Sequence, residues 1–246
     1  TFSMNSILSI PLLDFRVYKN NLFEIPFGQK TLINTINQYS FCIAQKEAAF
    51  KRALLGSDIL LADGMAIVSA VQLLNGRTIP KIAGADLHDY LLRDLNSKGG
   101  SCFYLGSSNG TLEKIISRQR KEFPNVEVRF FSPPYKASFS KEENQEMIAA
   151  VNAFAPDVLF IGMTAPKQEK WAFEHKEELS ARIICSIGAV FDFYAGTVER
   201  PSPFWIRLKL EWFIRLVKEP RRMSRRYLYY GPIFIGAILK EKSKSI

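Results

Sequence analysis

The chain has 246 residues, 47% of them hydrophobic and 23% charged, with a net charge of +9. That is enough to bury a sizeable core as one large or two small domains, and it lacks the run of about 18 uninterrupted apolar residues that a spanning helix needs. Cys42, Cys102 and Cys185 are widely spaced among apolar residues, so they read as buried free thiols in a reducing cytosol, not as a disulfide framework or a metal site.

In chain order, the opening TFSMNSILSIPLLDF has no basic n-region and no small-residue cleavage site, and is not expected to be a signal peptide. A helical pattern covers residues 38–55. DILLAD (58–63) then reads as a strand, with helices over 64–74 and 86–97. SCFYLGS (101–107) is a strand, 109–123 a helix, VEVRFFS (126–132) a strand and 141–154 a helix. DVLFIGM (157–163) is a strand, 166–179 a helix, and the apolar run RIICSIGAVFDF (182–193) a last strand. Strand and helix alternate at the spacing of βαβ units. The expected fold is therefore α/β, a Rossmann-like, mostly parallel sheet flanked by helices, its apolar strands covered on both faces.

The charge divides unevenly. Residues 1–199 hold 21 Lys/Arg and 21 Asp/Glu, whereas residues 200–246 hold 12 and 3. VERPSPF (198–204) marks the boundary. The expected organisation is a neutral catalytic body over 1–195 and a basic helical appendage over 196–246.

Open α/β sheets bind ligands at the carboxyl ends of their strands. Asp63 and Gly64 follow one strand, and Gly106, Ser107, Ser108, Asn109 and Gly110 follow another. Gly162, Thr164, Pro166, Lys167 and Gln168 follow a third, and Gly188 and Asp192 the last. Small residues let a ligand approach the backbone and helix N-termini favour anions, so a nucleotide or phosphorylated ligand suits this layout. Each feature also has a plainer reading. GSSNG lacks the spacing of a dinucleotide fingerprint or a P-loop. Asp63 reads equally as a helix cap, Asp192 as a turn acceptor, and His88 and His175 as structural or solvent-facing. No i, i+4 histidine pair supports zinc.

At these residues the chain resembles the WecG/TagA/CpsF family of bacterial glycosyltransferases, glycosyltransferase family 26, from about residue 30 to residue 230. The resemblance rests on TIN (35–37), LLADGMAIVSAVQLLNG, KIAGADL, IGMTAPKQEKW, and IGAVFDFYAGTVERPSPFWIRLKLEWFIRLVKEPRRMSRR. It implies an inverting transferase with a Rossmann-like body and no required metal or cofactor. Such an enzyme moves a sugar from a UDP-sugar to a polyprenyl-diphosphate-linked acceptor, as an N-acetylmannosaminyltransferase-like hexosyltransferase, for cell-wall, capsule or exopolysaccharide synthesis. It does not imply a particular sugar. By the same resemblance Asp63 is the base, with Thr35 beside it at the catalytic centre. Thr35 and Asn37 are sugar or acceptor contacts, and Lys167 and Gln168 contact the nucleotide sugar. Arg215, Arg222 and Arg225 meet the acceptor diphosphate, and the turn at Gly106, by its position after a strand more than by motif, is expected to form a wall for UDP. A carboxylate held at a strand end suits removal of the acceptor hydroxyl proton. Two positions depart from the pattern. Lys81, a substrate-binding position by the resemblance, stands where the family often has arginine, keeping the charge without the planar fork, and Met163 stands where a small residue is common.

The tail carries Trp205, Leu208, Trp212 and Leu216 on one helical stripe flanked by Arg207, Lys209, Arg215 and Lys218, the pattern of a membrane-surface helix. Arg221, Arg222, Arg225 and Arg226 follow, and then an apolar run from Tyr227 to Leu239 that is too short to span and is interrupted at Gly231–Pro232. The chain is thus expected to be cytoplasmic and peripheral on the inner face of the membrane. The apolar part of the tail would meet lipid, its arginines would meet diphosphate, and the site would close at the bilayer. Homo-oligomers are expected in solution. A nucleic-acid-binding tail is the rival from another class, opposed by the neutral body, so no nucleic acid is expected as a partner. A catalytically silent partner of the same fold is the second, opposed by Asp63, Thr35 and Gln168.

Overall fold

The computed structural model describes residues 8–27, 30–198, 205, 213, 216, 217 and 220–244, without the side chains of 221 and 222. The chain opens with an antiparallel hairpin, β1 (Ser9–Leu12) and β2 (Phe15–Tyr18). A six-stranded sheet follows, built from β3 (Thr31–Ile36), β4 (Ile59–Ala62), β5 (Ser101–Gly106), β6 (Glu127–Phe131), β7 (Val158–Gly162) and β8 (Ile183–Ser186). The strands lie in the order β4-β3-β8-β7-β5-β6, and every pairing is parallel, as the sequence predicts.

Alternation along each strand divides the core between the two faces of the sheet. Ile33, Cys185, Phe160 and Tyr104 point to one face, covered by α4 (Gly84–Lys98), α5 (Asn109–Glu122) and α8 (Val190–Tyr194). Leu32, Ile184, Leu159 and Phe103 point to the other, covered by α6 (Lys141–Phe154) and α7 (Lys167–His175). Both faces are therefore dry, which is why the strands read as continuous apolar runs and not as alternating ones. The three cysteines are buried free thiols. His88 is buried, its Nε2 2.7 Å from the Tyr104 hydroxyl, and burial pushes its pKa down to about 3, so it is a neutral core residue.

Several elements differ from the sequence reading, and β3 is one of them, since no strand is expected over residues 31–36 from the apolar pattern. The helix expected over 38–55 is two, α1 (Gln38–Ala44) and α2 (Ala48–Leu55). Extended backbone at Glu47 separates them, and the Glu47 carboxylate pairs with Lys170 of α7, a partner no local pattern displays. The strand expected over 182–193 ends at Ser186. Gly188 turns the chain at φ +36, and α8 begins at Val190. A short apolar run does not distinguish a strand from a buried helix. The hairpin β1–β2 is not among the expected strands. Its Pro11, which has no N–H to donate, is tolerated on so small a sheet.

The C-terminal segment forms α9 (Pro220–Ser224), a π-helical turn (Arg225–Tyr229) and α10 (Tyr230–Lys244). The expected interruption at Gly231–Pro232 does not occur. Pro232 cannot donate to the carbonyl four residues back, and the wider turn before it, closed by Tyr230 N–H to Arg225 O, absorbs the defect. Among the described residues no helix is long and apolar enough to cross a membrane. Instead α10 buries Tyr230, Phe234 and Ile238 in a third cluster, formed with the hairpin, α1, α2 and α3 (Met65–Asn75). Phe234 meets Phe41 edge-on with ring centroids 5.2 Å apart. The amphipathic stripe read from 204–219 lies almost wholly outside the described residues.

Because Phe234 is fully enclosed, Phe234→Ala is expected to lower the unfolding free energy by about 3–5 kcal/mol in a urea titration. A loss below about 1 kcal/mol would show that α10 contributes little to the body.

Candidate functional site

The connections leaving β3 and β5 run to opposite edges of the sheet, through β4 and β6. The strand ends between them open into a crevice, the position at which parallel sheets hold ligands. A cleft of about 860 Å³ occupies it, lined by the turns after β3, β4, β5, β6, β7 and β8, a size that suits a small-molecule ligand.

Two glycines set its floor. Gly106 and Gly162 are register partners at the ends of β5 and β7. A Cβ on Gly106, at φ +115, would lie 2.5 Å from the Gly162 carbonyl oxygen, and one on Gly162 would lie 2.3 Å from the Phe191 ring. No side chain fits either place, so backbone forms the wall there. Past Gly106, Ser107 takes φ +61, a costly conformation for a non-glycine residue. The Ser108 hydroxyl accepts from Thr111 N–H as the cap of α5. The N-terminus of that fourteen-residue helix lies at the cleft, a setting that favours an anion.

Thr35 and Asn37 line the cleft at the end of β3, and Asp63 lines it just past β4. The Asp63 N–H donates to Ile36 O at 2.9 Å, which holds Asp63 beside the end of β3. The cap of the next helix is Gly64 at φ +118, so Asp63 stands one residue before the cap and does not occupy it. Asn37 caps α1, its Oδ1 accepting from Tyr39 and Ser40 N–H at 3.0 Å. Lys81 is not among the lining residues. It sits just before Ile82, whose N–H donates to Ala62 O at the edge of the sheet, while the following Ala83, Gly84 and Ala85 reach the cleft.

Lys167 and Gln168 open α7 in the cleft wall. The Lys167 ammonium donates to Lys136 O at 2.7 Å, lies 4.4 Å from the Phe139 ring centroid, and is lowered in pKa by burial. Gln168 is buried. Its Oε1 accepts from Met163 N–H at 3.2 Å, and its Nε2 donates to Glu169 Oε1 at 2.8 Å. Asp192 lines the cleft too, and its backbone carbonyl accepts from Thr197 and Val198 N–H.

Of the arginines assigned to a diphosphate, Arg215 and the side chain of Arg222 lie outside the described residues. Arg225 is exposed, 5.9 Å from the Tyr230 ring centroid, and does not line the cleft. Arg226 does line it, its guanidinium 4.5 Å from the centroid of Tyr39. The sequence displays both arginines but not the π-helical turn, which changes the helical phase and so decides which of them faces inward.

Two further groups escape the sequence reading. Glu169 is 4% exposed and Ser186 is 1% exposed, both line the cleft, and Glu169 Oε2 and Ser186 Oγ have no hydrogen-bond partner among the described residues. Burial pushes the Glu169 carboxyl up to about 7, against the smaller opposing pull of the Gln168 hydrogen bond. Glu169 stands in the quoted PKQE block, but nothing in a helical pattern shows it turned inward. The charged side chains lining the cleft, among the described residues, are Asp63, Lys167, Glu169, Asp192 and Arg226.

A family model described as the glycosyl transferase WecG/TagA/CpsF family matches residues 13–246. The chain is 30% identical to an N-acetylglucosaminyldiphosphoundecaprenol N-acetyl-beta-D-mannosaminyltransferase of Bacillus subtilis, over 86% of this chain and 80% of that protein. It is 28% identical to a Bacillus spizizenii protein of the same description, over 82% and 76%, and 26% identical to one of Staphylococcus aureus, over 92% and 82%.

The raised Glu169 pKa has a consequence for stability. The unfolded carboxyl ionises near its ordinary 4.5, whereas the folded one holds its proton to about 7. Between those values folding takes up a proton, so this residue's contribution falls as pH rises through the window and stays low above it. Glu169→Gln is therefore expected to be more stable than the parent at pH 8, by an amount on the order of 3 kcal/mol. The difference should close by about pH 4.5 in paired thermal melts across pH.

Proposed function

The chain belongs to the glycosyl transferase WecG/TagA/CpsF family, and on that premise we propose that it transfers a hexose from a UDP-sugar, with inversion, to a polyprenyl-diphosphate-linked acceptor in cell-surface polymer synthesis. The observation that carries this reading is the single cleft at the strand ends, in which Asp63, Gln168 and Arg226 meet although they are far apart in sequence.

Inversion needs a base on the face of the sugar opposite the departing UDP. Asp63, beside the end of β3, takes the acceptor hydroxyl proton as the oxocarbenium-like centre forms. Thr35 and Asn37 border that space. The backbone wall at Gly106 and the N-terminus of α5 suit the diphosphate of UDP. Arg226 adds a guanidinium, whose paired donors match phosphate oxygens and stabilise the negative charge that develops on the leaving group. The cradle is built from backbone amides and cationic side chains, so the reading calls for no resident metal.

Access to a lipid-linked acceptor needs a surface that meets the bilayer. Leu228, Tyr229, Ile233, Ile235 and Leu239 are exposed on the C-terminal helix, and Lys240, Lys242 and Lys244 follow them. Apolar side chains in the interface, with lysines toward anionic headgroups, support peripheral attachment at the inner membrane face. Arg226 sits at the base of the same segment, which links that surface to the cleft.

The test is UDP release from a panel of UDP-sugars with a short-chain lipid diphosphate-sugar acceptor. Acceptor-dependent release is expected with one donor. Asp63→Ala should lower kcat by about 100-fold or more, and Arg226→Ala should lower kcat/KM by about 10- to 100-fold. Release unchanged in Asp63→Ala would remove that residue as the base, and the absence of release with every donor would sink the reading itself.

A further inference from the structure

Gln168 spans two turns. Its amide reaches from the start of α7 to the Met163 N–H just past β7, and lies against Gly188 just past β8. A Cβ on Gly188 would stand 3.0 Å from Gln168 Oε1 and 3.2 Å from Nε2, so the amide is wedged as well as bonded. An amide can occupy such a slot in either of two orientations, with oxygen and nitrogen exchanged. Here the choice is forced. The Met163 N–H can only donate, so it fixes Oε1, whereas the Glu169 oxygen at 2.8 Å accepts from Nε2. The second N–H of Nε2 has no bond within the described structure and belongs to a residue that lines the cleft.

Glu169 is held there at a cost. Its side chain is buried, Oε2 has no donor among the described residues, and the neighbouring Lys170 forms its ion pair with Glu47 on α2's entry turn, so that only a weak electrostatic pull from it reaches Glu169. A carboxyl with no direct ion pair in a dry wall is costly to keep, and such a group points to a role at the site.

We propose that Glu169 is a positioning residue for the transfer reaction, acting through Gln168: its carboxyl oxygen anchors the Nε2 end of the amide, whose Oε1 end the Met163 N–H fixes, and so aims the second N–H at the donor sugar. This rests on the reading that the cleft binds a UDP-sugar. The lock needs an acceptor oxygen at the right reach and not a negative charge, since a protonated carboxyl still offers its carbonyl oxygen. It therefore survives the ionisation of Glu169 near neutral pH.

Reach and charge separate experimentally. Glu169→Gln keeps the reach and loses the charge. Glu169→Asp keeps the charge, and its side chain, one methylene shorter, draws the oxygen away from Gln168. The measurements are kcat and KM for the UDP-sugar, together with calorimetric binding of UDP alone, for both variants in the parent and in Gln168→Ala. The expected result is Glu169→Gln within about threefold of the parent in kcat/KM, and Glu169→Asp lower by about tenfold or more, with UDP affinity unchanged. In the Gln168→Ala background the Glu169→Asp loss should vanish, because the group it orients is gone. Retained activity in Glu169→Asp with loss in Glu169→Gln would overturn the proposal in favour of a charge role. Losses that add in the double variant would show that Glu169 does not act through Gln168. Loss of UDP binding in Glu169→Asp would mark a structural role. Failure of the parent protein to bind UDP is a separate result, which removes the nucleotide-sugar reading beneath the proposal.

Discussion

The contact between Gly106 and Gly162 governs the rest of this structure. Two parallel strands end side by side with no room for a Cβ on either residue, and Phe191 packs against the second. The close approach removes side chains from the floor of the crevice and leaves peptide groups facing it. The turns beyond it then diverge, one into α5 and one toward α7, and the space between them is the cleft. A side chain at either glycine would have to part the strands or displace the Phe191 ring. In both cases the turn carrying Gln168 would move relative to the turn carrying Ser108.

Around that floor the polar groups follow a division of labour. Asp63 stands past the end of its strand, lines the cleft and is only partly buried. Glu169 is the opposite case, enclosed and pushed up in pKa. Two carboxyls on one cleft thus stand in different surroundings, one partly open and one enclosed. The cations are placed in the same spirit. Lys167 is tied to a backbone carbonyl and an aromatic ring, while the Arg226 guanidinium lies 4.5 Å from the Tyr39 ring centroid.

The C-terminal segment joins the two themes. One side of α10 completes the core with Tyr230, Phe234 and Ile238, and other positions leave Ile233, Ile235 and Leu239 in solvent. The π-helical turn before it accommodates Pro232 and at the same time sets which arginine enters the cleft. A single local irregularity therefore couples the membrane-facing reading of the helix to the chemistry of the site.

Five of the six strands of the parallel sheet and its helices were legible in the sequence, because a sheet dry on both faces demands continuous apolar strands and each covering helix demands its own apolar stripe; β3, which carries polar Asn34 and Thr35, was not. Asp63, Gly106, Lys167 and Gln168 were legible for a related reason, since they follow strands directly and strand ends are where such sheets bind. Other features depended on partners distant in the chain. Glu47 breaks a helix against Lys170, Gly188 turns a run that reads as strand, and the hairpin at β1–β2 packs on α3 and α10. Arg226 and not Arg225 lines the cleft because of a helical phase that no residue type encodes, and Glu169 faces inward because α7 docks with that side against the sheet. Local pattern fixes what a segment can be from contacts within a few residues. Which of its side chains meet in one cleft depends on packing between segments far apart in the chain, and that was settled only by the folded structure.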